Sequence, residues 1–179
     1  MTAARDPRPL IGEPLALDLL NTRWMHEGAV RDLLTGTDGL AVWLAANGLD
    51  ERFTADAATL RHTLRAREAL KTAVDGSLEQ GAPLVDAVLD HGRIRAVLTA
   101  EGPDERPEFR DRAWGPAWLA ARDYLRLLAA APDRIRGCAH EACILHFFDT
   151  SRNGTRRWCS MAACGNRAKA SRHYARSRG

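Results

Sequence analysis

The four cysteines stand at 138, 143, 159 and 164, and the 137 residues before them contain none. Structural thiols scattered through a core would not crowd in this way. They form two Cys-x4-Cys pairs separated by fifteen residues. Zinc takes four soft or borderline ligands in a tetrahedron, and cysteines a few positions apart can turn both thiolates toward one ion. In a reducing cytoplasm such a cluster reads as a metal site sooner than as two disulfides. The spacing therefore predicts one Zn2+ held by Cys138, Cys143, Cys159 and Cys164. With every position taken by thiolate, no place remains for an activated water, so the site is structural. His140, His146 and His173 stay open as replacements for one thiol.

The stretch between the pairs supports a folded finger. Ile144 to Phe148 and Thr155 to Cys159 are aromatic and β-compatible, and they flank Asn153-Gly154, a strong turn signal. They predict a β-hairpin between the cysteine pairs. Ser160 is the expected N-cap of a helix from about Met161 to Arg176, with Cys164 in the first turn, where the helix dipole favours a thiolate. Knuckle, hairpin and helix together describe a small α+β, treble-clef-like zinc finger. Trp158 is expected to pack over the metal, with Gly165 and Asn166 bracing the knuckle.

Charge separates the same segment from the rest. The chain has 26 Lys+Arg against 23 Asp+Glu, a net of +3. From Thr150 onward there are eight basic residues and no acid, which leaves 18 basic and 23 acidic residues, a net of −5, in 1–149. A basic segment on an acidic body is the footprint of a module that meets a polyanion, although a solvated basic terminus would look the same. On the expected helix Lys169, Arg172 and Arg176 share a face, Arg167 lies in the first turn, and Arg152, Arg156 and Arg157 sit on the hairpin. These seven are the candidate nucleic-acid contacts.

The earlier residues read as a mainly α domain with room for a small β element. Leu15 to Leu20 is an apolar run closed by Asn21-Thr22, and Thr37 or Asp38 caps a helix that ends at Gly48. Asp56 to Val74 is the strongest helix, with Ala57, Leu60, Leu64, Leu70 and Val74 as its apolar stripe. Residues 82–91 predict a short helix, 93–99 a half-buried strand, and 101–116 a loop because of Pro103 and Pro107. Trp118 to Ala130 is a further helix, with Trp118, Leu125 and Leu128 near one face. The boundary falls near 131–136, giving domains 1–131 and 132–179. Arg67 projects into the apolar stripe. Either its stem packs while its head reaches water, or it is an anchor paired with Asp18 or receiving an anionic effector. Asp18, Asn21 and Arg67 are the candidate ligand-binding residues.

From Cys138 onward the sequence resembles the CGNR zinc-finger family, whose motif stands as Cys164-Gly165-Asn166-Arg167. The family pattern also fits Phe148-Asp149-x-Ser151, Arg156-Arg157-Trp158-Cys159-Ser160-Met161 and Lys169. Upstream, LALDLLNTRW at 15–24, Asp32-Leu33, Leu40-x-x-Trp43-Leu44 and Arg67-x-Ala69-Leu70 resemble the ABATE domain that usually precedes this finger. The resemblance implies a bacterial, stress-related transcription regulator whose finger binds DNA.

The expectation is thus a DNA-binding regulator with an N-terminal domain that senses a small-molecule effector or forms a homodimer. A protein–protein adaptor using the finger is the second reading, and a small-molecule-binding protein with its site in the N-terminal domain is the third. No phosphate loop, nucleophile elbow or His-Glu-x-x-His motif stands in the chain, so no enzyme is expected. His140-Glu141 lacks the context a zinc deaminase needs. With no apolar run of about 20 residues and no secretory signal in the first ten, the expected location is the cytoplasm, with no membrane partner.

Overall fold

A computed structural model describes residues 6–166. The apolar run after Pro14 forms α1 (Leu15–Leu20), buried from Ala16 onward and ended at Asn21. A tight hairpin follows, β1 (Arg23–His26) against β2 (Ala29–Asp32), which is the small β element. Its turn places Glu27 and Gly28 at φ 51° and 78°. Positive φ at both central residues suits the right-handed twist of the strands, and glycine adopts it without steric cost.

α2 (Thr37–Ala46) begins one residue earlier than expected, with Gly36 rather than a Thr37 or Asp38 side chain at the cap. α3 (Ala57–Lys71) is capped by Asp56, whose carboxylate accepts from the Thr59 N–H. Its regular turns stop at Lys71, and a π-helical turn spans Thr72–Gly76. The buried face of α3 is rotated from the expected stripe. It carries Thr59, Thr63, Ala66, Arg67 and Leu70, while Ala57 is exposed and Leu60 and Leu64 are half-buried. Small residues let α1 and α5 approach closely, and the Thr63 hydroxyl is satisfied by the Thr59 carbonyl at 2.8 Å.

α4 (Leu78–Leu89) starts four residues before the expected point because Ser77 caps it, accepting from the Gln80 N–H. β3 (Gly92–Thr99) and β4 (Gly102–Phe109) make a long antiparallel ribbon, so the loop expected over 101–116 is in part a strand. Pro103 and Pro107 are tolerated because each strand of a two-stranded ribbon has a free edge that needs no N–H. α5 (Gly115–Ala130) buries Trp118, Ala121, Tyr124 and Leu127, whereas Leu125 is exposed. Helices α1, α3 and α5 pack together with α4 alongside, around a core of Leu17, Leu19, Leu40, Trp43, Leu44, Leu70 and Val88.

The C-terminal part adds β5 (Ile135–Gly137) and β6 (His146–Phe148), antiparallel with Gly137 opposite His146. The first cysteine pair thus lies in the loop of a β5–β6 hairpin. The hairpin expected between 144–148 and 155–159 does not form. The Asn153-Gly154 turn is present, with Gly154 at φ 61° and its N–H on the Ser151 carbonyl. However, Asp149 takes the backbone N–H groups of Ser151 and Arg156 that a ladder would have used. After Ser160 a π-helical turn spans Met161–Gly165. The remainder of the expected helix, with His173 and the candidate contacts Arg167, Lys169, Arg172 and Arg176, lies outside the described residues.

Candidate metal centre

The Sγ atoms of Cys138, Cys143, Cys159 and Cys164 all lie within 4.8 Å of one another, and none is in a disulfide. Cys143 and Cys159 are 3.8 Å apart, Cys159 and Cys164 3.6 Å. A tetrahedron with Zn–S of about 2.3 Å has sulfur–sulfur edges near 3.8 Å, so the cage has the size zinc requires. The backbone aims donors at it: the Cys159 N–H points to the Cys138 sulfur at 3.4 Å, and the Leu145 N–H supports Cys143. Hydrogen bonding from the Cys159 thiol, aided by Leu145, brings Cys143 down to about 5 against the effect of burial. The same hydrogen bond pushes Cys159 up, and burial pushes Cys164 up to about 12. Cys143 thus favours the thiolate while Cys159 and Cys164 resist it, and a bound divalent cation would favour thiolate at each of its ligands. Four sulfurs fill zinc's shell, so the ion supplies a cross-link and no reactive water.

The family motifs acquire physical roles here. Gly165 is buried, and a Cβ on it would come within 2.7 Å of the Met161 sulfur and 3.4 Å of the Trp158 ring. Trp158 packs against the cluster that contains Cys159 and Cys164. Asn166 is exposed and donates to the Ala162 carbonyl at 3.5 Å. Asp149 is fully buried and accepts from the Ser151 N–H, the Ser151 hydroxyl and the Arg156 N–H. Those bonds, the Ser151 hydroxyl first, hold its carboxyl below the usual carboxylate range. Arg134, which sequence reasoning missed, donates to the Asp149 and Ser151 carbonyls at 2.6 and 2.7 Å.

The basic candidates separate. Arg152 and Arg157 are exposed, and Arg157 lies over the Trp158 ring at 5.2 Å. Arg156, the other hairpin candidate, is half-buried and turned inward. Its guanidinium donates to the carbonyls of Trp158 and Cys159 and to Glu13, and it stacks on Phe147 at 4.2 Å.

Asp18, Asn21 and Arg67 are not brought to one site. Asp18, 1% exposed, accepts from Arg8 at 2.7 Å, from the Trp43 and Asn47 side chains at 3.0 Å each, and from the Gly12 N–H. Asn21 is bonded to the His146 backbone. Arg67 pairs with Asp32, not Asp18: two parallel bonds of 2.7 and 2.8 Å run to that carboxylate, with a third to Thr22. Burial pushes the Asp32 carboxyl up, but Arg67 outweighs it and holds the group low. No local pattern points from Arg67 to this partner, because Asp32 lies 35 positions away, across a hairpin that brings it back.

The finger and the helical part share a seam. Trp24 of β1 belongs to the finger's own core, with Leu145, Phe147, Cys159 and Cys164. Glu13 accepts from the Phe148 N–H and from Arg156. Beside this seam opens a cleft of about 430 Å³. Arg23, Arg67 and Lys71 line one side, and His146, Cys138 and Cys143 the other. Asp75 bridges them, 2.6 Å from His146 Nε2 and 2.7 Å from Lys71.

Among the described residues no helix is long and apolar enough to cross a membrane. No curated protein matches the chain. Residues 134–177 match the CGNR zinc finger, and the four-cysteine cage of the fitting size lies within that span. Residues 13–131 match ABATE, the family described as "Putative stress-induced transcription regulator". The chain therefore belongs to the ABATE family and carries a CGNR zinc finger after its helical domain.

Proposed function

We propose that this protein is a non-catalytic, DNA-binding transcription regulator. The zinc-held finger, treble-clef-like in its order of knuckle, strand and helix start, engages DNA phosphates, and the helical domain senses or dimerises. The observation that carries the reading is eight basic residues without an acid from Thr150 onward, set on a four-cysteine scaffold behind a body, residues 1–149, of net charge −5. The exposed Arg152 and Arg157 fit phosphate contact, whereas Arg156 serves the scaffold. Contacts of this kind position a duplex and carry little sequence information. Each neutralised phosphate releases counterions. Fluorescence anisotropy of a labelled short duplex tests the reading. Between about 50 and 200 mM salt the log–log slope should be about −4 to −5. No affinity for DNA at low salt would refute it.

A further inference from the structure

The cleft beside the seam holds a chemical anomaly. Among the described residues, three buried side-chain nitrogens have no hydrogen-bond partner: Arg23 Nε, Arg67 Nε and His146 Nδ1. All three belong to side chains that line this one cleft. Native interiors seldom leave such groups unsatisfied, and their clustering asks for an external partner. Asp32 is already engaged by both terminal nitrogens of Arg67, which leaves Arg23 with only a 3.8 Å approach to that carboxylate. Within the described residues the Arg23 guanidinium makes no hydrogen bond at all. The remaining cations are matched, Lys71 by Asp75 and Arg67 by Asp32, with the exposed Glu68 carboxylate a further 3.8 Å from Arg67 Nε.

Much of the lining is apolar. Leu20 and Leu145 are buried in it, while Val30 from the β1–β2 hairpin and Ile144 from the knuckle are 49% and 41% exposed. The volume of about 430 Å³ lies toward the small end of the ~300–1,000 Å³ range of ligand pockets. A guanidinium whose one ionic contact among the described residues is a loose 3.8 Å approach, and which makes no hydrogen bond, suits an anionic head, and an apolar lining suits an apolar body. We infer that the cleft is a binding site for a small monocarboxylate with an aliphatic or aromatic body, its carboxylate on Arg23 and its apolar part against Val30 and Ile144. The walls come from β1, β2 and α3 on one side and the cysteine knuckle on the other, so an occupant touches both parts of the chain. That such an occupant adjusts the finger's hold on DNA rests on the function proposed above; the binding itself does not.

The test uses the zinc-loaded full chain, with benzoate and hexanoate as probes and benzamide and benzylamine as controls. Methyl NMR of Val30 and Ile144 should show saturable shifts with both carboxylates. Benzamide and benzylamine should bind about tenfold or more weakly, the loss expected for one charge-assisted hydrogen bond. Arg23→Gln should weaken benzoate by about tenfold or more while changing the melting temperature little, because the ionic contact Arg23 makes among the described residues is a 3.8 Å approach to an Asp32 that Arg67 already holds. Val30→Trp, which fills the mouth, should block both probes. Absent shifts, shifts confined to other surfaces, equal binding of benzamide, or benzoate binding unchanged in R23Q would each overturn the inference. No DNA enters this titration, so a failure to bind DNA would sink the regulator reading without touching the result here.

Discussion

The side chain of Asn21 is bonded twice to the backbone of His146: Nδ2 donates to the carbonyl at 2.8 Å and Oδ1 accepts from the N–H at 2.8 Å. A residue that ends the first helix thus continues the hydrogen bonding of a finger strand 125 positions later. Asn21 is fully buried, so neither backbone group can turn to water in its absence. Asn21→Leu should lower stability by about 2–4 kcal/mol, the cost of leaving two buried groups unpaired. Denaturant unfolding would measure it. Asn21→Asp should recover only the bond that its carboxylate can still accept.

Arg67→Met should cost about 3 kcal/mol, because it strands a partly buried Asp32. Adding Asp32→Asn should recover much of that loss. A double-mutant cycle on the melting temperature checks the coupling, and purely additive effects would show that the pair is not a unit.

The Trp114 ring lies between His62 and His91, with ring centroids 3.9 and 3.5 Å away. Burial, then nearby arginines, pushes both imidazoles below their ordinary value. The folded chain therefore prefers them neutral. Their contribution to stability is present above an unfolded pKa of about 6.5 and is lost as pH falls through the lowered folded values. The melting temperature should fall from about pH 7.5 toward about pH 5, and in His62→Gln/His91→Gln that slope should flatten.

Neighbouring arginines should behave differently. Arg156→Ala removes donors to the Trp158 and Cys159 carbonyls and to Glu13. It should weaken zinc retention in a chelator competition. Arg157→Ala should leave zinc retention intact and reduce the magnitude of the DNA salt slope by about 1, equally on different duplexes.

Local signals were the ones legible in the sequence. The cysteine quartet could be read because each pair spans four intervening residues, and the presence of α3 because apolar residues recur at helical spacing from Ala57 onward. Pairings over longer distances could not. Arg8 on Asp18, Arg67 on Asp32 and Arg156 on Glu13 each depend on chain reversals that no local pattern records. The misplaced hairpin has the same origin. The propensity of 155–159 for a strand was outweighed by the buried Asp149 carboxylate, which drew in the N–H groups of Ser151 and Arg156. The α3 stripe misled because close helix packing favoured Thr59, Thr63 and Ala66 over the larger Leu60 and Leu64.

Chelation should reach beyond the finger. Trp24 shares a core with Cys159 and Cys164, so metal removal should change its fluorescence along with the finger's structure. A fluorescence change that survives Trp158→Phe and disappears in Trp24→Phe would assign it.

X-ray absorption at the zinc edge, on the reduced full chain with the metal content measured in parallel, addresses the cage itself. Four sulfur ligands at about 2.3 Å and one zinc per chain are the expected result. A shell containing nitrogen or oxygen, or protein that binds no stoichiometric metal, would contradict it.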